Sequence, residues 1–125
     1  MTQAAVKILE PQHANFHSAL IDRAHLARIT FNDQSLEREV LQLFDRQAEL
    51  LVARMRGSAP PAIATLAHTL KGSATGIGAS HVAHAAAAAE MAAGNETGDC
   101  ARAIEQLARA VDDVRVEIAA ILRAR

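Results

Sequence analysis

The sequence predicts an all-α protein, an antiparallel four-helix bundle with a short additional N-terminal helix. Three observations carry that expectation. The 125 residues include 29 alanines but only three phenylalanines and no Tyr or Trp. Alanine is the best helix former, whereas strands favour β-branched and aromatic side chains. Apolar residues then recur at three- and four-residue steps over long stretches, the period of a helix with one buried stripe. Finally, turn signals divide the chain into four long segments with short connections, and short connections join antiparallel neighbours.

The elements follow in order. Residues 1–20 contain Pro11, His13 and His17 without a clear period and read as an N-terminal arm. Residues 21–125 read as one bundle domain, a usual size for a single core. Asp22 is a good N-cap for a short helix carrying Leu26 and Ile29. That helix ends at Asn32 and Asp33, which can cap the next one. The second helix covers residues 34–56, with Leu36, Val40, Leu43 or Phe44, Leu51 and Met55 as its apolar stripe. Gly57 and Ser58 end it. Ser58 also suits an N-cap, and Pro60 and Pro61 fit only a first turn, where backbone N–H groups are unpaired anyway.

The third helix therefore covers residues 59–76. Gly78 breaks it, and Ala79 or Ser80 opens a fourth over residues 80–93. This fourth helix is mostly alanine, so a neighbour can approach it closely. Residues 94–98 form the clearest loop. Asp99 caps a last helix reaching residue 122, where Ile104, Leu107, Val111, Val114, Ile118 and Ile121 suit shallow-angle bundle packing.

Charge narrows the function classes. Thirteen basic residues face fourteen acidic ones, for a net charge of −1 and no basic block. That argues against a nucleic-acid or anionic-membrane surface. The single cysteine, Cys100, excludes an internal disulfide and a Cys-based zinc site. No apolar run approaches the roughly 18 residues of a membrane span, and the start lacks the pattern of a signal peptide. A cytoplasmic, reduced protein is expected. No glycine-rich phosphate loop is present, so the chain is not a complete kinase.

The informative segment spans residues 66–79. At about 100° per residue, Ile63, Leu66, Ala74 and Ile77 fall within about 40° of Leu70 and form one buried stripe. His68 lies near 160°, almost opposite, with Ala64, Lys71, Gly72 and Thr75 on the same outer side. Gly72 costs an exposed helix about 1 kcal/mol relative to alanine. Close approach of another molecule to His68 gives that glycine a reason. Imidazole is a nucleophile at neutral pH, and Lys71 at i+3 can offset the charge of a phosphoryl group on it. A merely solvated histidine fits the same spacing, so the residues alone leave both readings open.

The stretch His68-Thr69-Leu70-Lys71-Gly72-Ser73-Ala74 resembles the signature of histidine-containing phosphotransfer (Hpt) domains. The family pattern continues with a Gly-Ala pair, here Gly78-Ala79, and a helix ending in Leu-Glu, here Ala89-Glu90. Asp22 to Leu26, Asp33, Leu36, Leu43-Phe44 and Leu51 also resemble the family's first two helices. The resemblance implies a four-helix bundle in which His68 is phosphorylated, Lys71 assists the phosphoryl group, and Gly72 clears space beside the ring. Ala64, Thr65 and Thr75 are then on the partner surface. It implies response-regulator receiver domains and a hybrid histidine kinase as partners. The chain itself needs no cofactor, since Mg²⁺ is expected on the receiver. A freestanding, monomeric relay protein is expected. Ala86 and Ala89 depart from the family, which usually has bulkier residues there.

Two other functions compete with this one. The chain could be a structural or adaptor bundle in which His68 carries nothing. It could also be a metal-binding bundle using His81 and His84, which stand at i,i+3 on the fourth helix but lack an accompanying Glu-x-x-His partner set. Cys100 at a helix start and the Asp112-Asp113 pair read as packing and as a solvated face.

Overall fold

The computed structural model describes residues 20–95 and 98–124. Residues 1–19, and with them nearly all of the expected arm, lie outside the described residues. Five helices and no strand are found among the described residues: α1 (Arg23–Ile29), α2 (Gln34–Met55), α3 (Pro60–Ile77), α4 (Ser80–Ala93) and α5 (Cys100–Arg123). Each boundary has a local cause. Asp22 Oδ1 accepts from the His25 N–H, Asp33 Oδ1 from Ser35 and Leu36, and Asp99 Oδ1 from Arg102. These caps satisfy N–H groups that a helix start leaves unpaired. Gly78 ends α3 in the left-handed region, at φ 85°, where a side chain is disfavoured.

One expected cap is different. The residue flanking α3 is Ala59, which offers no side-chain hydrogen bond, and Pro60 opens the helix. The Ser58 hydroxyl instead donates to the Arg54 carbonyl at 2.6 Å, closing the end of α2. A proline in the first turn lacks an N–H to satisfy, so α3 needs less of a cap.

The four long helices pack α2 on α3, α3 on α4, α4 on α5 and α5 on α2, which closes a ring around one core. Its centre holds Leu41, Leu70, Val82, Leu107 and Val114, all without solvent exposure. Polar links along the pair join α2 to α5. Arg38 donates to the Leu122 carbonyl, Arg115 to Asp45, and Arg56 to Glu105. The residue numbers rise on one helix as they fall on the other, so α2 and α5 run in opposite directions. The pairing of α3 with α4 is the most extensive in the fold. Ala67 and Ala74 on α3 and Val82, Ala86 and Ala89 on α4 are all buried, and small side chains let two helix axes come close.

The stripe expected on α2 is partly displaced. Leu41, Phe44, Ala48, Leu51, Val52 and Met55 are buried, whereas Leu36 and Val40 are half-buried and Leu43 is 60% exposed. On α3, Ala67 is fully buried and Leu66 only partly. On α1, Leu26 is buried but Ile29 is exposed. Hydrogen bonds hold the N-terminal edge to the bundle, among them one from the Ile21 N–H to Glu117 Oε2 at 3.2 Å. The Asp22 N–H donates to the Gly78 carbonyl at 2.9 Å, and His25 Nε2 is 2.9 Å from the Gly76 carbonyl.

Candidate functional site

His68 stands midway along α3, on the face turned away from Leu70 and Ala74. Its side chain is 66% exposed. The rigid position follows from its neighbours, because Ala67 and Leu70 are fully buried and fix the rotation of the helix. Lys71 and Gly72, one turn on, share the outer face as the periodicity requires. A Cβ placed on Gly72 would meet nothing within 4 Å. Among the described residues, none therefore demands glycine at that position.

The closest partner of His68 comes from another helix. Glu90, near the end of α4, places Oε2 3.1 Å from His68 Nδ1 and Oε1 3.1 Å from Lys71 Nζ. One carboxylate thus holds both groups. The Lys71 ammonium, and to a lesser extent the His68 ring, keeps the Glu90 carboxyl below the usual glutamate value, against the opposing effect of partial burial. Glu90 is ionised at neutral pH and can only accept hydrogen bonds. In the neutral ring Nδ1 then carries the proton and donates it to Glu90, and Nε2 keeps the lone pair. The Lys71 ammonium is held on the other oxygen of the same carboxylate.

Glu90 appears in the sequence pattern only as the end of the fourth helix. Its place beside His68 follows from how α4 packs on α3, 22 residues away in the chain. Of the expected partner-surface residues, Thr65 and Thr75 are exposed and Ala64 is half-buried. Thr75 and Lys71 line a shallow groove of about 360 Å³ with Ser80, Ala83, His84 and Ala87, between α3 and α4.

The other candidates are not drawn to this place. His81 and His84 are exposed and line a second groove with Gln106, Arg109 and Asp113. Among the described residues, no group of three or more His, Cys, Asp or Glu side chains could hold a metal. Cys100 is a half-buried free thiol at the start of α5. No helix of the described residues is long and apolar enough to cross a membrane.

Comparison with known proteins bears on the same helices. A crystal structure described as a histidine-containing phosphotransfer protein from rice is similar in fold, with a TM-score of 0.76 at 17% identity. The match covers 98% of this chain and 93% of that one. No curated protein matches the sequence. The family model for the Hpt domain matches residues 34–117, from the start of α2 through α3 and α4 into the last turns of α5. The matched span holds both the helix that carries His68 and the helix that carries Glu90, and the chain belongs to the Hpt domain family.

Proposed function

We propose that this protein is a phosphorelay carrier. His68 accepts a phosphoryl group from a phospho-aspartate on a receiver domain and passes it to a second receiver. The observation that carries the reading is the His68–Glu90–Lys71 arrangement, which frees one ring nitrogen and places a cation beside it. The domain is the antiparallel four-helix bundle of residues 21–125, with α1 lying across one end.

The chemistry follows from those three side chains. The Nε2 lone pair attacks phosphorus in line with the aspartyl oxygen. The N–P bond forms as the O–P bond breaks, and the aspartate leaves as a carboxylate. The ring gains positive charge while keeping the Nδ1 proton. Glu90 offsets that charge through the hydrogen bond it already makes. Lys71, one turn on from His68 along the same face of α3, can turn from Glu90 toward the phosphoryl oxygens. Transfer of this kind needs mainly positioning and charge neutralisation. Return of the phosphoryl group to a second aspartate is the same path reversed. The metal expected with the receiver stays with the receiver, and the chain acts as a carrier rather than a kinase.

Gly72 keeps the approach to Nε2 clear, and Ala64, Thr65 and Thr75 belong to the surface that a docked receiver covers. The test uses phosphoramidate as a small donor. The wild-type chain should gain one acid-labile phosphoryl group, and His68→Gln should gain none. Labelling that persists unchanged in His68→Gln would overturn the assignment.

A further inference from the structure

The outer face of α2 carries a row of leucines. Leu43 is 60% exposed and Leu50 is 49% exposed. Leu36, in line with them, is half-buried. The spacing is seven residues, two turns, so the three share one face. At about 100° per residue, Glu39 and Arg46 flank the row on one side, and Val40 and Gln47 on the other. The buried Leu41, Phe44 and Ala48 lie about 100–160° around the helix from Leu43. The flanking charges differ from the other charges of α2. Arg38 donates to the Leu122 carbonyl, Asp45 and Glu49 pair with Arg115, and Arg56 pairs with Glu105. Glu39 and Arg46 are both exposed, and among the described residues neither has an ion-pair partner. They stand about 10 Å apart along the helix, beyond the i,i+3 and i,i+4 spacings that pair within one helix.

The face also has a shape. Leu36, Glu39, Val40, Gln42, Leu43 and Arg46 line a shallow groove of about 330 Å³. Leu50 stands beyond the end of that groove, on the same row. One end of the face is thus a recess, and the other a projecting leucine. A second copy of the chain complements both. Two α2 helices can lie antiparallel, with a two-fold axis running across them at Leu43. Leu43 then meets the partner's Leu43, and Leu36, in its groove, comes level with the partner's Leu50. Such an axis keeps each flank on its own side of the interface. Glu39 therefore comes within one residue of the level of the partner's Arg46, on the same side, and symmetry repeats the contact. A parallel pairing does neither. It sets Leu50 on the partner's Leu50, and turns Glu39 and Arg46 toward the partner's Val40 and the partner's Gln47. Antiparallel helices also oppose their dipoles favourably.

We propose that the outer face of α2 is a self-association surface, on which two copies of this chain pair antiparallel about a two-fold axis at Leu43. A second copy is the occupant because the face is complementary to itself in both shape and charge. The groove at one end takes the leucine from the other, and the unpaired glutamate takes the unpaired arginine. The proposal is independent of the relay reading. A single helix row covers little area beside a standard protein interface, so the pairing is weak and depends on concentration. The monomer expected of so small a chain is its dilute form. Added salt screens the exposed charge pairs and leaves the leucine contacts in place.

The test is sedimentation equilibrium of the full-length chain from micromolar to millimolar concentration. The wild-type mass should rise from 13.3 kDa toward twice that value. Leu43→Glu puts two carboxylates on the axis and should stay at the single-chain mass throughout. Arg46→Glu sets like charges opposite each other twice, and should raise the midpoint concentration about tenfold. Combining Glu39→Arg with Arg46→Glu exchanges the two partners and should bring the midpoint back to that of wild type. Val116→Glu is the control, because Val116 is 71% exposed on α5, away from the row, and it should associate as wild type. The substituted side chains are all exposed, so circular dichroism should show the same helix content in every variant. A wild-type mass that stays at 13.3 kDa would overturn the proposal. So would association that Leu43→Glu leaves intact. A double variant that pairs no better than Arg46→Glu alone would overturn the antiparallel arrangement.

Discussion

At the scale of single residues, Glu90 is the side chain that pairs with both His68 and Lys71. One of its oxygens lies 3.1 Å from His68 Nδ1 and the other 3.1 Å from Lys71 Nζ. Glu90→Gln keeps an acceptor for Nδ1 but loses the charge that offsets the phosphorylated ring. Glu90→Ala loses both. Transfer to His68 should therefore fall in the order wild type, Gln, Ala, with Ala on the order of tenfold slower. Equal rates in all three would remove Glu90 from the mechanism. The pH dependence has a definite sign. The carboxyl lies below its ordinary value, chiefly because of Lys71. Its contacts are present above the usual glutamate value and are lost only as pH falls through the depressed one. Nitrogen chemical shifts of the His68 ring should show Nδ1 hydrogen-bonded until that acid range in wild type, and not in Glu90→Ala. The exposed position of His68 and the oddness of Gly72 are legible in the sequence because both follow from the local turn of one helix. The role of Glu90 is not, because it depends on which part of α4 packs against which part of α3.

At the scale of elements, each helix trades intrinsic preference against a surface role. Gly72 sits in a helix interior where a Cβ would touch nothing. Gly72→Ala should stabilise the fold by up to about 1 kcal/mol, read from denaturant unfolding. Gly72→Leu should also leave α3 formed while slowing transfer. A loss of stability in Gly72→Ala would mean that the glycine has a packing role after all. The caps behave conventionally, so Asp33→Ala should cost about 1 kcal/mol by removing the acceptor for two N–H groups. α2 marks the limit of periodicity as a guide. It carries two apolar stripes, one through Leu41, Phe44 and Ala48 and one through Leu36, Val40 and Leu43. Both have helical spacing, and only the packing of α3 and α5 decides which is buried. Leu36, Val40 and Leu43 are read as core by spacing alone, and Leu43 is the residue most visibly left outside.

At the scale of the whole molecule, the four long helices close around one core and leave His68 exposed on the outside. Leu70 is fully buried behind His68. Leu70→Ala should cost about 2–5 kcal/mol through lost burial and an unfilled cavity. The frame also contains one carboxyl held in an unfavourable place. Burial pushes the Glu117 carboxyl above its ordinary value, although its Oε2 accepts the Ile21 N–H at 3.2 Å. A raised carboxyl favours the folded state most when protonated, and that advantage is lost as pH rises through the raised value. Glu117→Gln should therefore be more stable than wild type at neutral pH, with the difference vanishing in acid. A difference that grows in acid would contradict the sign. The alanine excess, which from composition signals only a helical bundle, has its use in the close packing of α4 on α3. That packing brings Glu90 to His68. The most direct test of the account is transfer from a phosphorylated receiver domain to the intact chain. The account predicts an acid-labile phosphoryl group on the wild-type chain, absent from His68→Gln with the fold unchanged; equal labelling of the two chains would contradict it.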